Sequence, residues 1–174
     1  RGVDYLTYDV KSAAFDLRQD VQASIIFNQL SPSAYVRGNG HAVPFALALL
    51  DHFESNGARV LNGASAFRLE LDKIAQIRLM RDLGMDYPWT IAFNNVEALW
   101  EHEEALNFPA ILKPNQGGSG ARMAEVNGLK ELKFLLEEDS SFWQPDPVLL
   151  LQEKLDHDPA KQGIVRLEFL DGEL

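Results

Sequence analysis

The stretch from Phe108 to Gly120 constrains the fold of this chain more than any other part of the sequence. It begins with a short apolar run, Ala110 to Leu112, which is typical of a buried strand, and continues through Lys113 and Pro114. Because proline donates no backbone hydrogen bond, we expect Pro114 to end a central strand. The loop that follows, Gln116 to Gly120, contains three glycines, whose backbone N–H groups can approach an anion closely. The lysine at the strand end adds a point charge suited to phosphate.

Two interpretations of this loop stay open on the residues alone. The glycines and Lys113 can bind phosphate, or they can form a plain turn beside a solvated lysine. The loop matches neither the Walker pattern nor the dinucleotide fingerprint. In either case we expect the apolar runs on its two sides, Phe108 to Lys113 and Met123 to Val126, to be antiparallel neighbours that the glycine loop joins.

The composition excludes several classes of protein. The 174 residues are 46% hydrophobic and 24% charged, which gives enough apolar content for a buried core in one ordinary domain or two small ones. A net charge of -10 argues against binding to nucleic acid or, by charge alone, to a membrane. Without cysteine the chain has no disulfides, catalytic thiols or thiolate metal ligands, which suits a reducing compartment and favours a cytoplasmic location.

The two ends of the sequence indicate a piece of a longer protein. The sequence begins at Arg1 without a methionine and stops at Leu174, just after the turn signal Asp171-Gly172. Its apolar runs are all shorter than a membrane-spanning segment. We therefore expect a fragment, in which a missing targeting signal carries little meaning.

The N-terminal part has the alternating pattern of an α/β fold. Ser24 to Phe27 is an apolar run typical of a parallel strand, Val43 to Asn56 carries a helical apolar stripe, and Arg59 to Leu61 is the next strand. Val3 to Val10 is a weaker strand prediction. A strand, loop, helix, strand order predicts half of a doubly wound domain in this region.

Two charged residues stand where more than solvation is indicated. Arg37 lies in a loop predicted from Gln29 to His41, and its guanidinium group is either solvated or a two-point clamp for a carboxylate. Lys73 lies in the first turn of a helix that Asp72 caps, where a cation is mildly unfavourable for the helix dipole. That conflict hints at another use for Lys73, and a solvated lysine is the alternative.

The remaining elements complete a mixed α/β pattern. The predicted strands are Trp89–Phe93, Val148–Gln152 and Ile164–Leu170, and the predicted helices are Val96–Leu106 and Leu129–Glu138. The four histidines are spread along the chain, and we expect them to be surface or packing residues rather than metal ligands.

Five motifs occur in an order that is more specific than any one of them. They are Arg37-Gly38-Asn39-Gly40-His41, Asp72-Lys73 with Pro88-Trp89-Thr90, Ile111-Leu112-Lys113-Pro114 with Gly117 to Gly120, Leu151-Gln152-Glu153-Lys154-Leu155, and Ile164-Val165-Arg166. With these motifs the chain resembles the ATP-grasp superfamily, in particular the ribosomal protein S6 modification type of glutamate ligase. The resemblance implies an α/β fold with three parts: a Rossmann-like preceding domain over 1–63, a first ATP-binding lobe over 64–152, and a hinge with the start of a second lobe over 153–174.

The resemblance also implies a role for individual residues. Lys73 and Lys113 would contact the phosphates of ATP, and Gly117, Gly118, Ser119 and Gly120 would close over the phosphates as a flap. Glu153, Lys154 and Leu155 would offer backbone groups to the adenine edge. Asp158 would bind the ribose hydroxyls, and Asp156 is the alternative residue for that role. Arg166, the catalytic candidate, and Arg37 would hold a substrate carboxylate or acyl phosphate.

The implied reaction joins a carboxylate to an amine. ATP would phosphorylate a small-molecule or peptide carboxylate, and an amino acid amine would then attack to give an amide. Mg2+ is the second implied cofactor, with ligands expected beyond Leu174, so we expect the chain by itself to be inactive. The alternatives are an ATP-grasp phosphotransferase, a non-catalytic nucleotide-binding regulatory module, and an α/β domain whose glycine loop is only a turn. The two substrates and a homo-oligomeric state are left open.

Overall fold

The computed structural model describes residue 2, residues 4–156 and residue 167. Asp158, Arg166 and most of the predicted strand Ile164–Leu170 therefore lie outside the described residues, as does most of the proposed second lobe. Within the described ranges, none of the helices is long and apolar enough to cross a membrane.

The described residues alternate between short strands and helices. The strands are β1 (Ile25–Phe27), β2 (Arg59–Leu61), β3 (Thr90–Phe93), β4 (Ala110–Pro114), β5 (Ala124–Val126) and β6 (Leu149–Glu153). The α-helices are α1 (Ala42–Ser55), α2 (Ala64–Leu71), α3 (Lys73–Asp82), α4 (Val96–Trp100) and α5 (Leu129–Glu138). Short 3-10 helices span Pro32–Arg37, Glu103–Ala105 and Ser140–Trp143.

The strands in the described ranges form two separate sheets. Strands β1 and β2 are a parallel pair, and the other four strands form an antiparallel sheet in the order β3-β6-β4-β5. Strands β4 and β5 are the predicted antiparallel neighbours, with Ala110 opposite Val126 and Leu112 opposite Ala124. That prediction is confirmed, and it places the glycine loop at the connection between them.

Strand β4 ends at Pro114, as the sequence predicts, and Pro114 is itself the last residue of that strand. It pairs with Leu149 of β6, while the pairing with β5 stops at Leu112. The next backbone nitrogen, that of Asn115, donates to the Val148 oxygen on the β6 side at 2.9 Å. Because successive backbone groups of a strand point to opposite sides, the nitrogen of Pro114 faces the side where β5 has already ended. The missing N–H therefore breaks no ladder bond.

One face of the four-stranded sheet is packed and the other is half open. Helices α4 and α5 and the Ser140–Trp143 turn cover the packed face, where fully buried leucines form a core: Leu99, Leu112, Leu132, Leu149 and Leu151. Side chains of β4 alternate between buried and partly exposed, so Ile111 and Lys113 lie on the half-open face. A second core joins α1 and α2 through Val43, Leu50 and Phe67.

Several local predictions need correction. Residues 4–10 form no strand, and the predicted loop from Gln29 to His41 contains a 3-10 helix that begins at Pro32 behind a Ser31 cap. Helix α4 ends at Trp100 rather than at Leu106. The acids Glu97, Glu101 and Glu104 lie three or four residues apart, and such like-charge pairs disfavour a longer helix. Helix α2 was not predicted at all.

Candidate phosphate-binding site

Lys73 is a half-buried cation that is fixed between two elements. Its position is the first residue of α3, and the carboxylate of Asp72 caps that helix by accepting from the Ala75 nitrogen at 3.0 Å. The ammonium group donates to the backbone oxygens of Pro114 at 3.0 Å and Asn115 at 2.8 Å. These carbonyls belong to two buried residues at the end of β4, and they explain why a cation stands in the first turn of a helix. The alternative of a freely solvated Lys73 is therefore wrong.

Lys113 belongs to a chain of polar side chains across the half-open face of the sheet. Its ammonium group donates to the Gln152 amide oxygen at 2.5 Å, and the amide nitrogen of Gln152 donates to the Thr90 hydroxyl at 2.9 Å. The three residues come from β4, β6 and β3, which are neighbours in the sheet. Gln152 thus points the Lys113 side chain along the sheet, and the lysine is half buried rather than solvated.

The backbone of the glycine loop adopts conformations that favour glycine. Gly117 and Gly120 have φ values of 140° and 67°, and Ser119 between them has 59°, so the loop passes repeatedly through the left-handed region. Gly118 packs so closely on the 3-10 helix Pro32–Arg37 that an ideal Cβ there would lie 2.9 Å from the Ser33 nitrogen. The Tyr35 hydroxyl also donates to the Gln116 amide oxygen at 2.6 Å. The loop is therefore held down at two points.

The lysines and the glycine loop meet at one small cleft of about 30 Å³. Its lining is Lys73, Lys113, Pro114, Gly117, Gly118, Gly120, Ala121 and Met123. A larger, shallow groove of about 450 Å³ runs along α5, lined by Leu129, Lys130, Lys133, Phe134 and Glu137. That groove lies on a single helix, whereas the small cleft gathers two cations and three glycines from separate parts of the chain, so we place the candidate site at the small cleft.

The electrostatics of the cleft favour an anionic ligand. Partial burial and the neighbouring charge of Lys113 lower the pKa of Lys73 from 10.5 to about 8, while Asp146 and Asp72 act in the opposite direction. Burial also lowers the pKa of Lys113. Two like charges at close range disfavour each other, and a polyanion between them relieves that repulsion.

The predicted adenine-binding residues lie at the other end of the same strands. Lys113 is opposite Leu150 of β6, and Glu153 ends that strand three residues later, about 10 Å away. The backbone N–H groups of Glu153 and Lys154 already donate to the oxygens of Trp89 and Pro109, at 2.8 and 3.4 Å. Among the three predicted N–H groups, that of Leu155 is thus better suited to a ligand than those of Glu153 and Lys154.

Other predicted residues are not part of the cleft. Ser119 is exposed on the loop. Arg37 is exposed as well, and its guanidinium group donates to the Ser33 hydroxyl, next to the point where Gly118 packs. The described part of the chain contains no group of three or more acids or histidines that could hold a metal ion. The residues described here therefore do not fit a magnesium site.

Sequence reasoning missed two residues under the cleft, Asn115 and Asp146. Both are nearly buried, at 6% and 9% exposure, and the Asn115 amide donates to the Asp146 carboxylate at 3.3 Å. The Asn115 oxygen accepts from the backbone nitrogen of Ile74 at 3.0 Å. A polar residue directly after Lys113-Pro114 was a visible signal for Asn115, but no local pattern marks Asp146.

Comparisons with known proteins find similarity to two ligases and to an ATP-grasp protein. The D-alanine--D-alanine ligase of Corynebacterium urealyticum is 27% identical over 124 residues, which cover 70% of this chain and 33% of that protein. The VanG D-Ala:D-Ser ligase of Enterococcus faecalis superposes with a TM-score of 0.61 at 21% identity, over 78% of this chain and 37% of that one. A RimK domain ATP-grasp protein of Sphaerobacter thermophilus gives a TM-score of 0.52 at 22% identity, over 63% of this chain and 41% of that one.

The described residues have the fold of one part of an ATP-grasp protein. The predicted superfamily resemblance is thus confirmed at the level of the fold, and two of these similar proteins are ligases by name. Both D-alanine-type ligases and a RimK domain protein are among them, so a glutamate-ligase type is not singled out. No protein-family model matches the chain. The chain spans about a third of the length of this D-alanine--D-alanine ligase.

Proposed function

We propose that this chain is the nucleotide-binding part of an ATP-dependent carboxylate–amine ligase. The observation that carries the proposal is the convergence of Lys73, Lys113 and the glycine loop on one cleft. Two of the three N–H donors of Lys73 are used by backbone carbonyls, which leaves one donor for a phosphate oxygen. Backbone N–H groups of a left-handed loop form the concave anion site that phosphates prefer.

The sheet orients the nucleotide along its half-open face. The phosphates lie at the Lys113 end of β4, and the base lies at the Glu153 end of β6, about 10 Å along the strands. Ile111 lies between them on the same face and gives the base and ribose an apolar surface. The proposed roles of Leu155, Ser119 and Arg37, and of Arg166 and Asp158 outside the described residues, follow the resemblance to ATP-grasp ligases.

The proposed chemistry forms an amide in two steps. An oxygen of the substrate carboxylate takes the terminal phosphoryl group of ATP, and ADP leaves; the amine nitrogen then attacks the acyl carbon, and phosphate leaves as the amide forms. The lysines of this chain hold the phosphates in line and reduce their mutual repulsion, which is most of what phosphoryl transfer requires. A small carboxylate and an amino acid amine are the proposed substrates, with a specificity close to D-alanine-type or glutamate-type ligases.

Replacement of Lys113 tests the proposed site. Lys113→Ala removes a charge-assisted hydrogen bond to phosphate, so we expect ATP affinity to fall by roughly tenfold to a hundredfold. The melting temperature should hardly change, since a half-exposed ammonium group contributes little packing. Lys130→Ala is the matched control, because Lys130 is exposed on α5, behind the packed face of the sheet. Equal ATP affinity for both variants, measured by calorimetric titration, would contradict the proposal.

A further inference from the structure

The junction under the cleft is organised around the side chain of Asn115. Its amide oxygen accepts from the Ile74 nitrogen at 3.0 Å, and its amide nitrogen donates to an Asp146 oxygen at 3.3 Å. Its backbone is used as well: the nitrogen donates to Val148 at 2.9 Å, and the oxygen accepts from Lys73 at 2.8 Å. One residue thus joins the end of β4, the first turn of α3 and the segment that leads into β6.

The partners of Asn115 allow only one orientation of its amide. The Ile74 N–H needs an acceptor and the Asp146 carboxylate needs a donor, so a flipped amide would lose both bonds. The other oxygen of Asp146 accepts from the Val148 nitrogen at 3.1 Å, which fixes the carboxylate in turn. Because both side chains are almost fully buried, a donor or acceptor left without a partner at either one would lower the stability of the fold.

We propose that Asn115 and Asp146 are positioning residues for Lys73: Asn115 holds the start of α3 against the end of β4, and Asp146 fixes the Asn115 amide. Lys73 donates to the backbone of Asn115 itself, so a displaced Asn115 displaces both the helix start and the ammonium group. The inference rests on the proposed nucleotide site, because positioning matters only if Lys73 meets a ligand.

Asp146 has an electrostatic part in the same arrangement. The charged groups that act on Lys73 are Lys113 of β4, Asp146 before β6 and Asp72 before α3. Lys113 disfavours the protonated form of Lys73, and the two carboxylates favour it. Asp146 thereby offsets part of the repulsion between the lysines from beneath the cleft, without occupying a position where a phosphate would bind.

A reciprocal exchange of the two side chains tests this inference. In Asp146→Asn one oxygen replaces the two that accept from the Asn115 amide and the Val148 nitrogen, so one of these donors loses its acceptor. In Asn115→Asp two carboxylates face each other and repel. The double variant Asn115→Asp with Asp146→Asn restores every bond, since the new carboxylate at position 115 would accept from Ile74 and the new amide at position 146 would donate to that carboxylate. Asn107→Asp is the matched control, because Asn107 is exposed and its amide makes only a 3.5 Å contact with the Ala105 oxygen.

The 174-residue chain is examined in each form by three measurements. They are the thermal midpoint, the pKa of Lys73 from NMR titration of labelled lysine Cε signals, and the affinity for ATP. Assignment of the Lys73 signal comes from its loss in Lys73→Arg. For Asp146→Asn we expect a lower Lys73 pKa than in the wild type and about tenfold weaker ATP binding. For the double variant we expect a thermal midpoint above that of either single variant and an ATP affinity within about threefold of the wild type.

The outcomes separate this inference from the proposed function. An unchanged Lys73 pKa in Asp146→Asn overturns the inference, even if the exchange restores stability, because the pair would then be merely structural. An exchange that is no more stable than the weaker single variant overturns it too. Failure of the wild type to bind ATP instead contradicts the proposed function, and the Lys73 titration still decides whether Asn115 and Asp146 position that side chain.

Discussion

The lowered pKa of Lys73 predicts that ATP affinity and stability depend on pH in opposite directions. The perturbation is a change from pH 7.5 to 9.5, in which Lys73, with a pKa of about 8, loses most of its charge. If only the protonated form binds phosphate, affinity falls with the protonated fraction, which drops to about one in ten at pH 9. We therefore expect ATP binding to weaken by about tenfold at pH 9 relative to the limit at low pH.

Stability has the opposite dependence because the folded-state pKa lies below the ordinary value of 10.5. Between these two values the unfolded chain binds more protons than the folded chain, so the free energy of unfolding rises with pH over that window. The full shift corresponds to about 3 kcal/mol at about 1.4 kcal/mol per unit. Lys73 is only partly buried, and solvent screening reduces this to about 1 kcal/mol.

The assay is calorimetric ATP titration and urea unfolding at fixed ionic strength across this pH range. Lys73→Arg stays protonated throughout, so its affinity should depend much less on pH, with Lys113 responsible for what remains. Lys130→Arg makes the same chemical change on an exposed residue of α5 and should behave as the wild type. ATP affinity that is constant to pH 9.5, or equal pH profiles for Lys73→Arg and Lys130→Arg, would refute the reasoning.

Three further predictions concern the loop, the core and the chemistry. In Gly118→Ala the new Cβ meets the Ser33 backbone at 2.9 Å, so calorimetry should show weaker ATP binding and thermal unfolding should show a stability lower by about 1–3 kcal/mol. Gly128 has open space around it, so Gly128→Ala should change neither the ATP affinity nor the stability. Leu112→Ala empties a fully buried position in the sheet and should lower the unfolding free energy by about 2–5 kcal/mol in urea. The 174-residue chain should release no ADP with magnesium, a carboxylate and an amine; turnover would show that we have misplaced the catalytic centre.

The hairpin and the lysines were predictable because their signals are local. Two apolar runs around a glycine loop specify an antiparallel pair whatever the rest of the chain does. Lys73 stood out because a cation in a first helical turn conflicts with the helix dipole. Helix α2 was missed although Ala64, Phe67 and Leu71 share one face, and all three are buried in the structure. Its eight residues are simply short for a periodic pattern.

The contacts beneath the cleft could not be read from the sequence. Asn115 and Asp146 are 31 positions apart, and their bond depends on the pairing of β4 with β6. Tyr35 and Gln116 are 81 positions apart and meet only because the Pro32–Arg37 turn packs on the glycine loop. Periodicity and spacing report on neighbours along the chain, so contacts between distant segments need the fold itself.

The acceptors that Lys73 and Lys113 use are uncharged, and this explains how the two lysines keep their charge available to a polyanion. Lys73 donates to two backbone carbonyls and Lys113 to an amide oxygen, and in the described part of the chain neither lies in an ion pair with a carboxylate. Neutral acceptors fix the direction of an ammonium group without cancelling its charge, whereas a carboxylate partner would have to be displaced by the incoming phosphate. The charge of Asp146 favours the protonated form of Lys73 from a distance, while its carboxylate accepts from Asn115 and Val148 rather than from either lysine. The cleft therefore stays cationic while each of its side chains is held, which is the condition for positioning phosphates at little reorganisation.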